Sequence, residues 1–217
     1  MSQQYQIIFK NNSYLSGNFC CFQQDPTITD PSIMSLAWFT KFANPNTAAA
    51  FDWSIDYSFV WGETGPLVPG VTFSASQNVP AGLTSNNRIT LDYNGGYQFM
   101  DQTNGTPSGN LYIIEDGTIP SVNEASVGIG MSGTGTFVMQ AAPNYNLTFS
   151  PHPEYWVAFG TYTTGEVLNI QSMNNPAEVS FPIGVYTMYA TLNSDNSWTI
   201  SPTSPNTAVN MTYALKK

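Results

Sequence analysis

Large hydrophobic side chains alternate with small or polar ones along much of this chain. The clearest example is FDWSIDYSFVW, residues 51–61, in which an aromatic ring or an isoleucine occupies every second position from Phe51 to Trp61. Successive side chains of an extended strand point to opposite faces. The pattern therefore predicts one continuous strand with an aromatic face and a face of small and acidic residues.

Shorter segments with the same pattern recur between turn residues. Asn94-Gly95-Gly96 separates two of them and predicts a hairpin, because Asn and Gly readily adopt positive φ. The segment 33–43, IMSLAWFTKFA, fits a helix and a strand equally well. Further strands are predicted at 6–9, 18–23, 71–77, 88–93, 97–101, 111–115, 125–141, 155–162, 166–171, 179–181, 185–193, 197–201 and 209–215.

This arrangement predicts an all-β fold. About a dozen short strands without intervening helices indicate a single antiparallel β-sandwich or jelly-roll-like domain. The 217 residues are enough to bury a substantial core, and no linker-like change in composition divides them. We therefore predict one domain over residues 1–217.

Charged side chains make up only 9% of the chain, and its formal net charge is −9. Nucleic acids and anionic membrane surfaces are disfavoured partners, because both are bound largely through Lys and Arg. The polar surface must instead consist mainly of Asn, Ser, Thr, Gln and Gly. Faces of this kind repel one another weakly, which favours association between copies of the chain.

The N-terminal residues lack a basic region followed by a continuous apolar stretch, and no apolar run approaches the roughly 18 residues of a membrane span. We expect a cytoplasmic protein, with release by leaderless export or lysis as alternatives. The cysteines, Cys20 and Cys21, are adjacent in sequence. Neighbouring residues of a strand point to opposite faces, so we expect two free thiols.

Two segments invite a catalytic or cofactor-binding interpretation. The Gly-rich residues 128–137 lack the Lys of a phosphate-binding loop and continue as a strand, so we expect no nucleotide cofactor and a close approach of another backbone or ring. His152 is the only histidine and stands between Pro151 and Pro153. One histidine and a vicinal cysteine pair do not make a zinc site, and no Gly-x-Ser-x-Gly motif is present. We expect His152 to be a rigid loop residue, and we assign no catalytic or metal-binding residues.

The carboxylates suggest turns rather than chemistry. Asp52 and Asp56 are four residues apart, which places them more than about 10 Å apart on one strand, too far for a catalytic dyad. Other acidic residues adjoin turns, where they are expected to cap their own backbone, with calcium binding as the alternative: Asp25, Asp30, Glu115 and Asp116.

The aromatic side chains allow two interpretations. Most are expected to fill a β-sandwich core, and exposed ones would supply stacking platforms for sugars. The candidates are Trp38, Trp53, Trp61, Trp156 and Trp198. The sequence does not identify which rings are exposed, so the ligand-binding residues are unknown at this stage.

Four segments of the chain resemble RhiA-type proteins: 35–43, SLAWFTKFA; 52–77, DWSIDYSFVWGETGPLVPGVTFSASQ; 124–137, EASVGIGMSGTGTF; and 149–168, FSPHPEYWVAFGTYTTGEVL. The resemblance implies an abundant product of rhizosphere-grown nodulating bacteria whose expression is linked to cell-density signalling. It implies no catalytic residue, cofactor or substrate.

Sparse charge and the lack of a catalytic motif together lead to a non-enzymatic structural or interaction protein as the first functional hypothesis. It would associate with itself into a homo-oligomer or a larger assembly. The alternative is a lectin-like module that binds glycans, with calcium-assisted and host-directed variants. A hydrolase on a sandwich scaffold is the least favoured interpretation.

Overall fold

The computed structural model describes residues 3–205, which form seventeen strands in four sheets and one 3₁₀ turn at Ile170–Ser172. The all-β prediction is confirmed. From edge to edge, sheet 1 contains β17 (Trp198–Ser201), β16 (Thr187–Leu192), β1 (Gln4–Asn11) and β5 (Ala48–Ser54). Sheet 2 contains β15 (Ala177–Glu178), β14 (Glu154–Gly160), β2 (Gly17–Gln24) and β4 (Ala37–Ala43). Sheet 3 contains β3 (Met34–Ser35), β12 (Thr134–Gln140), β11 (Ala125–Met131), β6 (Tyr57–Glu63) and β7 (Gln77–Ala81). Sheet 4 contains β13 (Tyr145–Phe149), β10 (Leu111–Glu115), β8 (Arg88–Tyr93) and β9 (Tyr97–Thr103).

The four sheets pack as two pairs. Sheets 1 and 2 enclose one hydrophobic core, and we call this pair the terminal lobe because its strands come from residues 4–54 and 154–201. Sheets 3 and 4 enclose a second core and form the central lobe, which apart from β3 is built from residues 57–149. The pairing is antiparallel except for β1 with β16 and β8 with β10. The single-domain organisation over residues 1–217 stays a prediction.

The aromatic segment 51–61 is not one strand, and that prediction is wrong. β5 ends at Ser54 and β6 begins at Tyr57, in a different sheet and a different lobe. Between them Ile55 is 44% exposed. The Ser54 hydroxyl donates to the Asp56 carboxylate, and the Asp56 carbonyl accepts a hydrogen bond from the Ser132 backbone N–H at 2.9 Å. The alternation of large apolar and small or polar residues continues through this break, because β5 and β6 each bury one face, although they enter different cores.

Two segments that were predicted as strands, 71–77 and 166–171, are mainly loops that cover the outer face of sheet 3. In segments 71–76 and 166–171, the sheet pairing is limited to the isolated bridges Leu36–Val167 and Thr72–Glu166. Phe73 and Val167 pack there with two buried side chains of sheet 3, Val60 and Val138, and with Leu36, which lies between β3 and β4. The apolar residues that suggested strands are thus buried by a covering loop.

The undecided segment 33–43 is extended and forms β3 and β4, so the strand alternative is confirmed. Its Trp38 joins the lobes, because the indole Nε1 donates to the Met131 carbonyl of β11 at 3.0 Å. Tyr57 also packs against both cores. The predicted strand 209–215 lies outside the described residues.

Two smaller expectations are confirmed. Cys20 and Cys21 are free, and they are buried in different hydrophobic clusters on opposite faces of β2. Burial raises the pKa of both thiols. A Cβ atom added at Gly128 would lie 1.9 Å from the carbonyl oxygen of Phe137 on the neighbouring strand, so this glycine does permit a close backbone approach. In the part of the chain that the structure describes, no helix is long and apolar enough to cross a membrane.

Candidate ligand-binding cleft

A cleft of about 510 Å³ opens where the chain passes between the lobes. We call it the junction cleft. Its apolar lining consists of Tyr5, Ile55, Tyr57, Pro151, Pro153, Tyr155, Val179 and Phe181, and its polar lining of His152, Glu154, Glu178 and Ser180. These residues come from β1, from the start of β6, from the β5–β6 and β13–β14 crossovers, from β14, and from β15 with the residues after it. The cleft is therefore a product of the topology, since no single segment contains it.

The β13–β14 crossover places His152 at the cleft. The prolines on both sides restrict its backbone, and its backbone N–H donates to Asp25 Oδ2 at 2.7 Å. The ring Nδ1 lies 2.8 Å from the carbonyl oxygen of Ser150. A carbonyl oxygen only accepts, so Nδ1 carries the proton and Nε2 of the neutral ring is an acceptor. Among residues 3–205, the ring makes no hydrogen bond with a carboxylate or a serine hydroxyl. His152 thus lies in a loop, as the sequence predicted.

One wall of the cleft is a cluster of aromatic rings centred on Phe181. The ring of Phe181 packs edge-to-face against Tyr5 at 5.3 Å and against Tyr155 at 5.7 Å between centroids. Trp53, which is buried in the terminal-lobe core, contacts the same ring at 5.7 Å. Such pairs stabilise one another beyond their burial. The wall is therefore an extension of the terminal-lobe core that reaches the surface.

The cleft also offers hydroxyl groups that stay protonated. Burial is the main reason that the pKa of Tyr57 lies above its usual value. Burial also raises the pKa of Tyr155, to about 12. Both phenols are consequently hydrogen-bond donors at neutral pH. The Tyr155 hydroxyl contacts the Met131 sulfur at 4.0 Å, whereas the Tyr57 hydroxyl has no hydrogen-bond partner among residues 3–205. The Tyr5 hydroxyl, also at the cleft, makes no hydrogen bond among residues 3–205 either, so Tyr5 and Tyr57 both leave a donor free.

The formal charges at the cleft are negative. Glu154 and Glu178 line it, and the basic side chains within residues 3–205, Lys10, Lys41 and Arg88, do not. Lys41 is instead engaged at the edge of sheet 2, where its Nζ donates to the Ala50 carbonyl and lies 5.3 Å from the centre of the Phe51 ring.

The predicted carboxylate candidates lie elsewhere. Asp52 accepts a hydrogen bond from Gln6 Nε2 at 2.6 Å on sheet 1, and Asp56 belongs to the β5–β6 crossover. Asp25, Asp30 and Asp116 each accept from a backbone N–H two residues further on, at 2.9, 2.9 and 2.8 Å. The expectation that these three cap their own turns is confirmed. Within the described residues, no group of three or more Asp, Glu, His or Cys side chains is placed to hold a metal ion.

Glu115 departs from that expectation. It is 1% exposed in the central lobe, where Oε2 accepts from the Ala142 backbone N–H at 2.6 Å and Oε1 has no partner. Desolvation outweighs that hydrogen bond and raises the pKa of Glu115 to about 7. The sequence pattern placed Glu115 beside a turn but did not indicate its burial.

The tryptophans are mainly structural. Trp38, Trp53 and Trp61 are buried in the two cores, as the core interpretation predicted. Trp156 and Trp198 are half-buried, and the Trp198 indole donates to the Asn175 carbonyl at 2.9 Å. The rings at the cleft are tyrosines and a phenylalanine. Two candidates from the sequence adjoin these rings: His152 lines the cleft, and Trp53 packs against Phe181 from the core.

Comparison with known proteins places the chain in a family. The RhiA family model matches residues 2–203. The chain belongs to the RhiA family. It is 39% identical over 202 residues to Protein RhiA of Rhizobium leguminosarum bv. viciae, an alignment that covers 92% of this chain and 87% of that protein. No solved structure gives a significant match. The name of this RhiA relative specifies no ligand, partner or reaction.

Proposed function

We propose that this RhiA-family protein is a non-enzymatic, lectin-like binding protein whose junction cleft holds a carbohydrate. One observation supports this proposal above the others: an aromatic wall and free polar groups line the same cavity of about 510 Å³. Small-molecule sites typically have volumes of roughly 300–1,000 Å³ and combine apolar walls with a few polar groups.

A sugar ring matches this combination of surfaces. Its C–H face is apolar and packs on an aromatic ring, and its hydroxyl edge needs hydrogen-bond partners. Tyr5 and Phe181 supply exposed parts of an aromatic wall, whereas the Tyr57 hydroxyl and His152 Nε2 supply a donor and an acceptor. A hydroxyl both donates and accepts, so this pair satisfies it in both roles.

The first test is a glycan array probed with the purified protein, with and without calcium. We expect binding to a restricted set of glycans, and we expect it in the absence of calcium, since the described residues hold no cluster of metal-ligating side chains. If no glycan is bound under either condition, this proposal is contradicted.

A pair of single-atom variants then locates the site. Tyr57→Phe removes a hydroxyl from the cleft, and we expect about three- to tenfold weaker glycan binding, the usual value of one hydrogen bond. Tyr14→Phe is the matched control, because Tyr14 is 84% exposed and lies outside the cleft. Equal affinity of both variants and the parent protein would place the glycan elsewhere.

Self-association is the second candidate function, and exposed apolar side chains favour it. Tyr14, Leu15 and Phe42 are 84%, 55% and 63% exposed. They lie at one end of the terminal lobe, where the Asn11 side-chain amide donates to the carbonyls of Leu15 and Ala43. Exposed apolar groups at a sheet edge with few charges are typical of contact surfaces.

Size-exclusion chromatography with light scattering tests this second candidate, followed by electron microscopy of the purified protein. We expect a homo-oligomer or larger assembly that Phe42→Ser shifts toward monomer, whereas Val122→Ser, at a position 93% exposed elsewhere, leaves it unchanged. A monodisperse monomer at high concentration would contradict it.

A further inference from the structure

The β8–β9 turn and the loop that follows β9 contain the two Asn-Gly pairs of the chain, Asn94-Gly95 and Asn104-Gly105. In such a pair the glycine has no side chain that shields its backbone nitrogen, which can approach the side-chain carbonyl carbon of the asparagine closely. Both pairs have the same local chemistry. Only their surroundings in the folded protein distinguish them.

Two hydrogen bonds hold the pair Asn104-Gly105. The Asn104 side-chain oxygen accepts from the Asn86 backbone N–H at 2.8 Å, and the Gly105 backbone N–H donates to Asn87 Oδ1 at 2.7 Å. Asn87 is fully buried, and its Nδ2 donates to the Asn110 carbonyl at 2.8 Å, which fixes the acceptor of Gly105. The side-chain amide and the backbone nitrogen of this pair are therefore both engaged with other groups.

The pair Asn94-Gly95 has no such contacts. Both residues are exposed, and neither the Asn94 side chain nor the Gly95 backbone N–H makes a hydrogen bond within residues 3–205. A Cβ atom added at Gly95 would have no heavy atom beyond its chain neighbours within 4 Å, whereas one added at Gly105 would lie 2.4 Å from the Tyr112 ring. The turn thus leaves the reacting groups and the space around them free.

We propose that Asn94 is a site of spontaneous deamidation in the folded protein and that Asn104 is protected. The Gly95 nitrogen forms a bond to Cγ of Asn94, and the side-chain amide nitrogen leaves as ammonia, which takes up the proton of the Gly95 N–H. The product is a five-membered succinimide ring. Water then adds to one of the two ring carbonyls and opens the ring, which leaves aspartate or iso-aspartate and releases a proton.

This modification changes the charge and the backbone of the β8–β9 hairpin at the edge of sheet 4. Each event adds one carboxylate and takes the formal net charge from −9 to −10. Iso-aspartate also inserts a methylene group into the main chain between Tyr93 and Tyr97, the pair that closes the hairpin. The turn does not line the junction cleft, so the inference is independent of the proposed carbohydrate binding.

The test follows both pairs in one sample of the folded protein. The protein is incubated in mildly alkaline buffer, which favours loss of the amide proton, and is then cleaved after aromatic residues. Cleavage after Tyr97 or Phe99 places the two pairs in separate peptides. Tandem mass spectrometry measures replacement of the amide by an acid in each peptide, and enzymatic carboxyl methylation with a labelled methyl donor detects iso-aspartate. We expect Asn94 to react at least about tenfold faster than Asn104, because two hydrogen bonds must first break at Asn104.

Three controls assign this difference to the fold. In denaturant, both pairs should react at similar rates, since only the local chemistry remains. Asn94→Gln should abolish the reaction at residue 94 and leave Asn104 unchanged, because the longer side chain forms the corresponding ring far more slowly. Asn87→Ala removes the acceptor of the Gly105 N–H and should accelerate the reaction at Asn104 roughly threefold to tenfold. Circular dichroism checks that this variant is folded.

Two outcomes would overturn the inference. The first is an equal rate at the two pairs of the folded protein, or a faster reaction at Asn104. The second is a folded protein in which Asn94 stays intact while denaturant permits its modification, since the turn would then prevent ring closure. If Asn87→Ala does not fold, the comparison of the folded and denatured parent protein decides by itself.

Discussion

The two lobes differ in how their aromatic rings are arranged. In the terminal-lobe core, Phe9, Phe19, Trp38, Phe51 and Trp53 belong to one network of ring contacts that includes further half-buried rings. The central-lobe core buries as many rings, but they lie among a larger number of aliphatic side chains and make fewer contacts with one another. Both cores pack a pair of sheets, so either arrangement suffices for the fold. The ring network of the terminal lobe continues to the surface, and there it becomes a wall of the junction cleft.

The terminal-lobe core also carries the link between the lobes. Trp38 reaches from sheet 2 to the carbonyl of Met131 in sheet 3, and Tyr57 packs against both cores. In the central lobe, ring contacts are limited to pairs among Phe59, Trp61, Tyr93, Tyr97 and Phe99. Large rings such as those of Trp38 and Tyr57 thus connect the two lobes, because one ring contacts several elements at once.

Removing the linking ring should have the largest effect. Trp38→Ala leaves a cavity in the terminal lobe and an unpaired Met131 carbonyl, and we expect the free energy of unfolding to fall by about 3–5 kcal/mol. Chemical denaturation followed by circular dichroism measures it. Trp38→Phe keeps most of the volume and should recover more than half of the loss. A cost below about 1 kcal/mol for Trp38→Ala would show that the junction does not depend on this ring.

A pH titration probes the central lobe through Glu115. The pKa of Glu115 is raised from 4.5 to about 7 in the folded protein, so its protonated form is favoured by folding. This contribution is fully present below about pH 4.5 and is lost as the pH rises through about 7, which lowers stability by roughly 2–3 kcal/mol.

In Glu115→Gln this pH dependence should disappear, as measured by denaturant unfolding at several pH values. The exposed Glu63→Gln is the control and should retain it. Asp30, Asp92 and Asp195, whose pKa values are lowered mainly by side-chain hydrogen bonds, act in a more acidic range and do not mask the effect. An unchanged pH profile in the variant would assign the dependence to another group.

Matched methyl deletions test whether the lobes unfold together. Ile7→Val in the terminal lobe and Ile113→Val in the central lobe both affect fully buried residues, and each should cost about 0.5–1.5 kcal/mol. Because Trp38 and Tyr57 join the cores, we expect each variant to shift one common transition. Two separable transitions, each sensitive to only one variant, would contradict the single-domain prediction for residues 1–217.

The smallest effect on stability is expected at the cleft itself. Ile55 is 44% exposed in the crossover, so Ile55→Ala should change the free energy of unfolding by less than about 0.5 kcal/mol. It should still weaken glycan binding, because Ile55 lines the cleft. Val68→Ala, at a position 50% exposed outside the cleft, is the control for both measurements. Unchanged binding in Ile55→Ala would move the site away from the crossover.

Local patterns predicted most of the strands. The hairpin at Asn94-Gly95-Gly96 forms, since Gly95 has a φ of +75° that suits this residue. Segments 71–77 and 166–171 were predicted less well. A run of apolar residues indicates that a segment is buried. A strand and a covering loop bury side chains equally well, so the pattern does not distinguish between them.

The amino-acid sequence by itself determined the all-β class, the free thiols and the low charge density, because each depends on residue type or on neighbours within a few positions. The tertiary structure alone decided that residues 51–61 divide between two cores and that the junction cleft exists. Tyr5, Tyr57, His152 and Phe181 come together because strands far apart in the chain pair with one another, among them β1 with β5 and β14 with β2 and β15. Such pairings depend on how whole sheets pack, and the local spacing of apolar residues does not predict them.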